Sequence, residues 1–120
     1  MAHIVVLEDD YTLLELYKDV LDAGGYDVFG ATRLQEIIEY VAENEADVIV
    51  ADLRLSTTPA RETIQALATI HQQTQIAVLL VSAQMMIYEK TCREAGFEHL
   101  LTKPFQNHVL LAKIAEILGE

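Results

Sequence analysis

The stretch Asp47-Val-Ile-Val-Ala-Asp-Leu-Arg-Leu55 decides how this chain folds. Val48 to Ala51 is short, apolar and rich in β-branched residues, the composition of a strand buried on both faces of a sheet. The run ends in a carboxylate, Asp52. A strand that carries an acid to its carboxyl end brings it to the crevice where open α/β sheets hold their ligands.

Similar runs recur on either side. Ile4 to Leu7 predicts a first strand, ending in Glu8-Asp9-Asp10. Thr12 and Glu15 have capping-box spacing ahead of the apolar stripe Leu13, Leu14, Tyr17, Val20 and Leu21, and that helix stops at Gly24-Gly25. Tyr26 to Phe29 predicts a second strand; Thr32 and Gln35 repeat the capping spacing before a helix carrying Ile37 and Val41. After Asp52, Pro59 suits the first turn of a third helix through Ile64, Leu67 and Ile70. Ile76 to Val81 predicts a fourth strand, Gln84 to Ala95 a helix closed by Gly96, Glu98 to Leu101 a fifth strand, and His108 to Leu118 a last helix. Strand and helix alternate five times, (βα)₅, which predicts one doubly wound, parallel five-stranded α/β domain over residues 1–120.

Bulk composition narrows the function. Of the 120 residues 52% are hydrophobic and 22% charged, a globular balance. The net charge of −11 argues against direct contact with nucleic acid, which needs a basic face. No apolar run approaches the roughly 20 residues of a membrane span, and the acidic N-terminal stretch is unlike a signal peptide. A cytoplasmic location is the expectation, which the single cysteine, Cys92, also fits as a small apolar helix residue.

In such a sheet the residues after the first, third, fourth and fifth strands share one rim: Glu8, Asp9 and Asp10; Asp52; Ser82; Lys103. Several carboxylates packed together repel unless a cation lies among them, and hard oxygen ligands suit Mg²⁺. A lysine and a serine hydroxyl beside a carboxylate suit an incoming anion, so the rim reads as a phosphoryl-transfer site with Asp52 as nucleophile.

These segments, together with Leu79-Leu-Val-Ser-Ala83, Ala95-Gly96 and Leu101-Thr-Lys-Pro-Phe105, resemble the receiver domain of two-component response regulators (the CheY-like superfamily) over the whole chain. The resemblance implies the flavodoxin-like strand order 2-1-3-4-5. It implies that Asp52 accepts a phosphoryl group from the phosphohistidine of a histidine kinase or histidine phosphotransfer protein. Asp9, Asp52 and the backbone carbonyl of Arg54 would ligate Mg²⁺ or Mn²⁺, with Glu8 acting through water. Ser82 and Lys103 would contact the phosphoryl group, and the Lys103-Pro104 bond would be cis. The expected chemistry is self-catalysed phosphotransfer and slower self-dephosphorylation, not multiple turnover. The output face would be the fourth helix, fifth strand and fifth helix. It would signal to a downstream domain or protein and is a surface through which a homodimer could form. The chain ends directly after the last helix, so a stand-alone regulator and a receiver from a longer chain both remain open.

Three features depart from the family pattern. Ser56 and Ala60 stand where a proline and a glycine usually follow the acceptor, which puts the shape of that loop at issue. Leu100 stands where an aromatic commonly switches. Arg54 and Gln84, two residues beyond Asp52 and Ser82, occupy positions that flank the phosphoryl group and tune its loss. Asp10 reads as the exposed start of a loop, and His3, His71, His99 and His108 as plain polar residues. The alternative function is a pseudo-receiver that docks partners without phosphorylation. A hydrolase of the aspartyl-phosphate type would want an acid where Arg54 stands, and a flavin carrier would want a Ser/Thr/Gly-rich first loop.

Overall fold

Strands apolar on both faces must be covered on both faces, and the helices divide accordingly. The structure, a computed structural model, describes residues 1–120: β1 (His3–Leu7), α1 (Tyr11–Ala23), β2 (Asp27–Ala31), α2 (Leu34–Glu43), β3 (Val48–Asp52), α3 (Ala60–Thr74), β4 (Ala77–Ser82), α4 (Met85–Glu94), β5 (His99–Thr102) and α5 (Asn107–Leu118). All strands pair in parallel in the order β2-β1-β3-β4-β5. This is the expected doubly wound, flavodoxin-like arrangement.

Side-chain alternation along each strand sorts the interior into two layers. Ile4 and Val6 of β1, Val48 and Val50 of β3, and Leu79 and Val81 of β4 pack with Leu14, Tyr17 and Leu21 of α1 and Leu110 and Ile114 of α5. The intervening residues Val5, Leu7, Ile49, Ala51, Val78 and Leu80 face Ile37, Ile64, Leu67, Met85 and Cys92 of α2, α3 and α4. Cys92 is fully buried there, as a small apolar residue, and burial raises its thiol pKa. Leu100 is half-buried against this second layer.

Helix starts differ from the sequence expectation. Asp10, not Thr12, caps α1: its extended backbone precedes the first turn and its carboxylate accepts from the Leu13 N–H at 3.1 Å. Thr12 already lies inside that turn. At α2 the N-cap position is Arg33, without a side-chain bond, and the Thr32 hydroxyl points instead to Glu36 at 3.5 Å. Pro59 sits at the N-cap of α3, one position ahead of its first turn. Gly96, with φ +97°, turns the chain after α4 as expected. β2 begins at Asp27, because Tyr26 turns inward to the α1/α5 layer while its hydroxyl donates to Glu120 at 2.9 Å.

His3 is no plain surface residue. One ring nitrogen lies 2.6 Å from the Tyr40 hydroxyl and the other 3.0 Å from the Asp27 carboxylate, bracing β1, β2 and α2 at the amino end of the sheet. His71 is likewise engaged, with Nδ1 2.7 Å from the Ile76 carbonyl. No helix is long and apolar enough to cross a membrane.

Candidate functional site

Strand register brings the site together. Leu7 pairs with Ala51, Asp52 with Val81, and Ser82 with Thr102, so Glu8, Asp52, Ser82 and Lys103 arrive at adjacent positions on the carboxyl rim. Backbone bonds hold this rim beyond the strands. Leu53 N–H donates to Val81 O, and Lys103 N–H to Ser82 O, both at 3.0 Å. The Lys103-Pro104 peptide is cis.

The centre is an ion triad. The Lys103 ammonium donates to the Asp52 carboxylate and, at 2.9 Å, to Glu8 Oε1. Glu8 and Asp52 are 2% and 5% exposed, among the few buried polar residues in the chain. Burial raises the Glu8 pKa, opposed by its hydrogen bond to Lys103. Burial lowers the lysine's pKa, but its bonds to Asp52 and Glu8 outweigh that and raise it above the ordinary lysine value. Tyr17 from α1 lies beside it, with its ring centroid 6.0 Å from the ammonium; burial raises the phenol pKa.

An open cleft of about 490 Å³ lies over the triad, bordered by Asp9, Asp10, Arg54, Ser56 and Ala83. Arg54 meets Asp52 through its backbone, N–H to Oδ1 at 2.7 Å, while its side chain is exposed at the border. Asp9 is turned towards the loop after β3, accepting from the Ser56 N–H at 2.7 Å. That loop contains no residue with positive φ, and Ala60 begins α3 in ordinary helical backbone, so the missing glycine imposes no strain here. Ser82 is 1% exposed; its Oγ accepts from the Gln84 N–H at 3.0 Å, which leaves the hydroxyl hydrogen free to donate.

The cleft's donors are all hard oxygens, with no thiolate or imidazole, which fits a divalent cation such as Mg²⁺ in kind. In arrangement, no three acids are gathered at ligating distance, because Lys103 engages Glu8 and Asp52 while Ser56 engages Asp9. Three contributions escaped the sequence reading: the Ser56 N–H, the Tyr17 ring and the capping by Asp10. Tyr17 was legible only as one residue of an apolar stripe, and a backbone N–H leaves no mark in side-chain patterns.

The class of fold is a doubly wound parallel sheet that carries on its carboxyl rim two buried carboxylates, Asp52 and Glu8, and a half-buried Lys103. The family follows from comparison: residues 4–115 match the model of the response regulator receiver domain, and the chain belongs to that family. It is similar to the sensory transduction protein BceR of Halalkalibacterium halodurans, 29% identical over 98% of this chain and 50% of that protein. The aerobic respiration control protein ArcA of Escherichia coli K12 is 25% identical over 98% and 48%. The chain thus spans about half the length of these curated relatives. Among solved structures, the non-phosphorylated HemR receiver domain of Leptospira biflexa shares the fold with a TM-score of 0.87 at 23% identity, covering 100% of this chain and 96% of that one. The chemotaxis response regulator CheY4 of Vibrio cholerae does so at 0.84 and 21%, covering 98% of each.

Proposed function

We propose that this chain is a phosphoacceptor of a two-component pathway, with Asp52 as the residue phosphorylated. The observation that carries this reading is the buried Asp52 carboxylate held by Lys103 at the floor of an oxygen-lined cleft. A carboxylate oxygen of Asp52 attacks phosphorus in line. The P–N bond of a donor phosphohistidine breaks as the P–O bond to Asp52 forms, and the electron pair leaves on the imidazole.

Lys103 follows the growing negative charge from Asp52 onto a phosphoryl oxygen, and the Ser82 hydroxyl donates to another. Asp9, Asp52 and the Arg54 carbonyl would hold Mg²⁺ or Mn²⁺, with Glu8 acting through water; the cation would supply charge neutralisation on the transferring oxygens. Dephosphorylation is attack of water on the same phosphorus, returning inorganic phosphate and the Asp52 carboxylate. Exposed Leu13 and Leu16 of α1, beside the cleft, offer an apolar footing for the histidine kinase or phosphotransfer protein that donates the group. The output, to a downstream domain or protein or to a second copy, would run through α4, β5 and α5.

Incubation with a small acyl phosphate and Mg²⁺ tests the reading by intact mass. One added phosphoryl group is expected, and none in Asp52→Asn. No addition to the parent chain, or addition that persists in the variant, overturns it. The pseudo-receiver alternative draws on one observation, the engagement of Asp9 by Ser56, and the same mass measurement decides between the two.

A further inference from the structure

We propose that the backbone N–H of Ser56 is a latch on Asp9 that competes with the divalent cation, so that cation binding and the position of the loop after β3 are coupled. The inference rests on the reading of the cleft as a cation site and concerns what that site must give up to be loaded. The contact spans 47 residues of sequence, from the first acidic loop to the segment leaving β3, and at 2.7 Å it is a short charge-assisted bond. Asp9 is the one acid bordering the cleft that has neither the lysine nor a bond from its own loop; its only hydrogen-bond partner is this N–H.

Glu8, Asp9 and Asp52 therefore each accept from a different backbone N–H, and two of them share the lysine. Glu8 has Lys103 and the Asp10 N–H, Asp52 has Lys103 and the Arg54 N–H, and Asp9 has Ser56. In this coupling, bringing Asp9 towards Asp52 lengthens or breaks the Ser56 bond, and the loop from Arg54 to Pro59, anchored in the core only by buried Leu55, loses its tie to the β1 side of the cleft. Only the backbone of Ser56 is involved. Any residue with an N–H can make the latch; proline cannot. The proline expected at this position by family pattern would thus remove the latch, and its replacement by serine supplies it. Ser56 is here a positioning residue, acting through Asp9.

Magnesium titration of the full chain tests this, by calorimetry for affinity and by amide proton resonances for the contact. Ser56→Pro should bind Mg²⁺ roughly tenfold more tightly, the value of one hydrogen bond to a charged group. Ser56→Ala keeps the N–H and should match the parent. In the parent, the Ser56 amide proton should lie far downfield without cation and move upfield on saturation, a readout that needs no variant to fold. Equal or weaker binding by a folded Ser56→Pro, or a Ser56 amide unmoved at saturating Mg²⁺, overturns the latch while leaving the cation site intact. Failure of all three chains to bind Mg²⁺ overturns the cation site and the latch with it.

Discussion

The two ends of the sheet carry clusters of similar side chains under opposite constraints. At the carboxyl rim two buried carboxylates, Glu8 and Asp52, share one ammonium, and Asp9 stands beside them at the cleft border. At the amino rim His3 meets Asp27, whose side chain is 67% exposed, together with Tyr40, and its backbone N–H donates to the exposed Asp47. Water screens the second cluster, so its contribution is that of a few hydrogen bonds. The first is charge-imbalanced in a low-dielectric setting, where two carboxylates depend on one ammonium and removing it leaves uncompensated buried charge.

Four measurements break or sharpen that contrast. Lys103→Met should have the largest effect, because it strands two buried carboxylates. A loss of about 3 kcal/mol at neutral pH, read from urea melts without divalent cations, is the expectation. A loss below about 1 kcal/mol would show that water reaches the pair and would erase the difference between the two ends.

Glu8→Gln should change stability by less and in the opposite sense. A carboxyl whose pKa is raised by folding contributes stability below its ordinary value of 4.5 and loses it as pH rises through the folded value. Folded Glu8 lies on the raised side because burial disfavours its charge. The variant should therefore be more stable than the parent at pH 7, with the gap closing as thermal melts are repeated towards pH 4.5. A gap that widens on acidification would reverse the assignment.

His3→Ala, at the other end, should cost about 1 kcal/mol in the same melts and leave the yield and rate of phosphorylation of Asp52 unchanged. A change in either would mean that the two rims are coupled. The smallest effect belongs to Arg54→Ala. It should leave stability within about 0.5 kcal/mol, since the side chain is exposed. The Arg54 side chain at the cleft border can shield an acyl phosphate, so its loss should speed release of phosphate several-fold in a decay assay. An unchanged decay removes Arg54 from that role.

The architecture was legible because its causes are local in sequence. Runs such as Val48 to Ala51 and Leu79 to Val81 are too apolar to leave either face in water, and three of them, with two half-buried edge strands, alternating with helical stripes leave a parallel doubly wound sheet as the economical packing. Glu8, Asp52, Ser82 and Lys103 could be assigned to one rim because each ends or follows a strand, and strand order then brings those ends together. Helix starts were read less well, since capping depends on which backbone N–H lies in reach and not only on spacing: Asp10 took the role given to Thr12.

What only the tertiary structure decided is how the charges pair. Sequence placed acids and a lysine on the same rim, but the lysine's choice of Asp52 and Glu8, the turning of Asp9 to Ser56, and the tie between His3 and Tyr40 depend on distances between segments tens of residues apart. Hydrophobic burial acts through broad surfaces and survives an ångström of displacement, so a pattern suffices to read it. A hydrogen bond is made or lost within such a displacement, and the folded chain alone sets it.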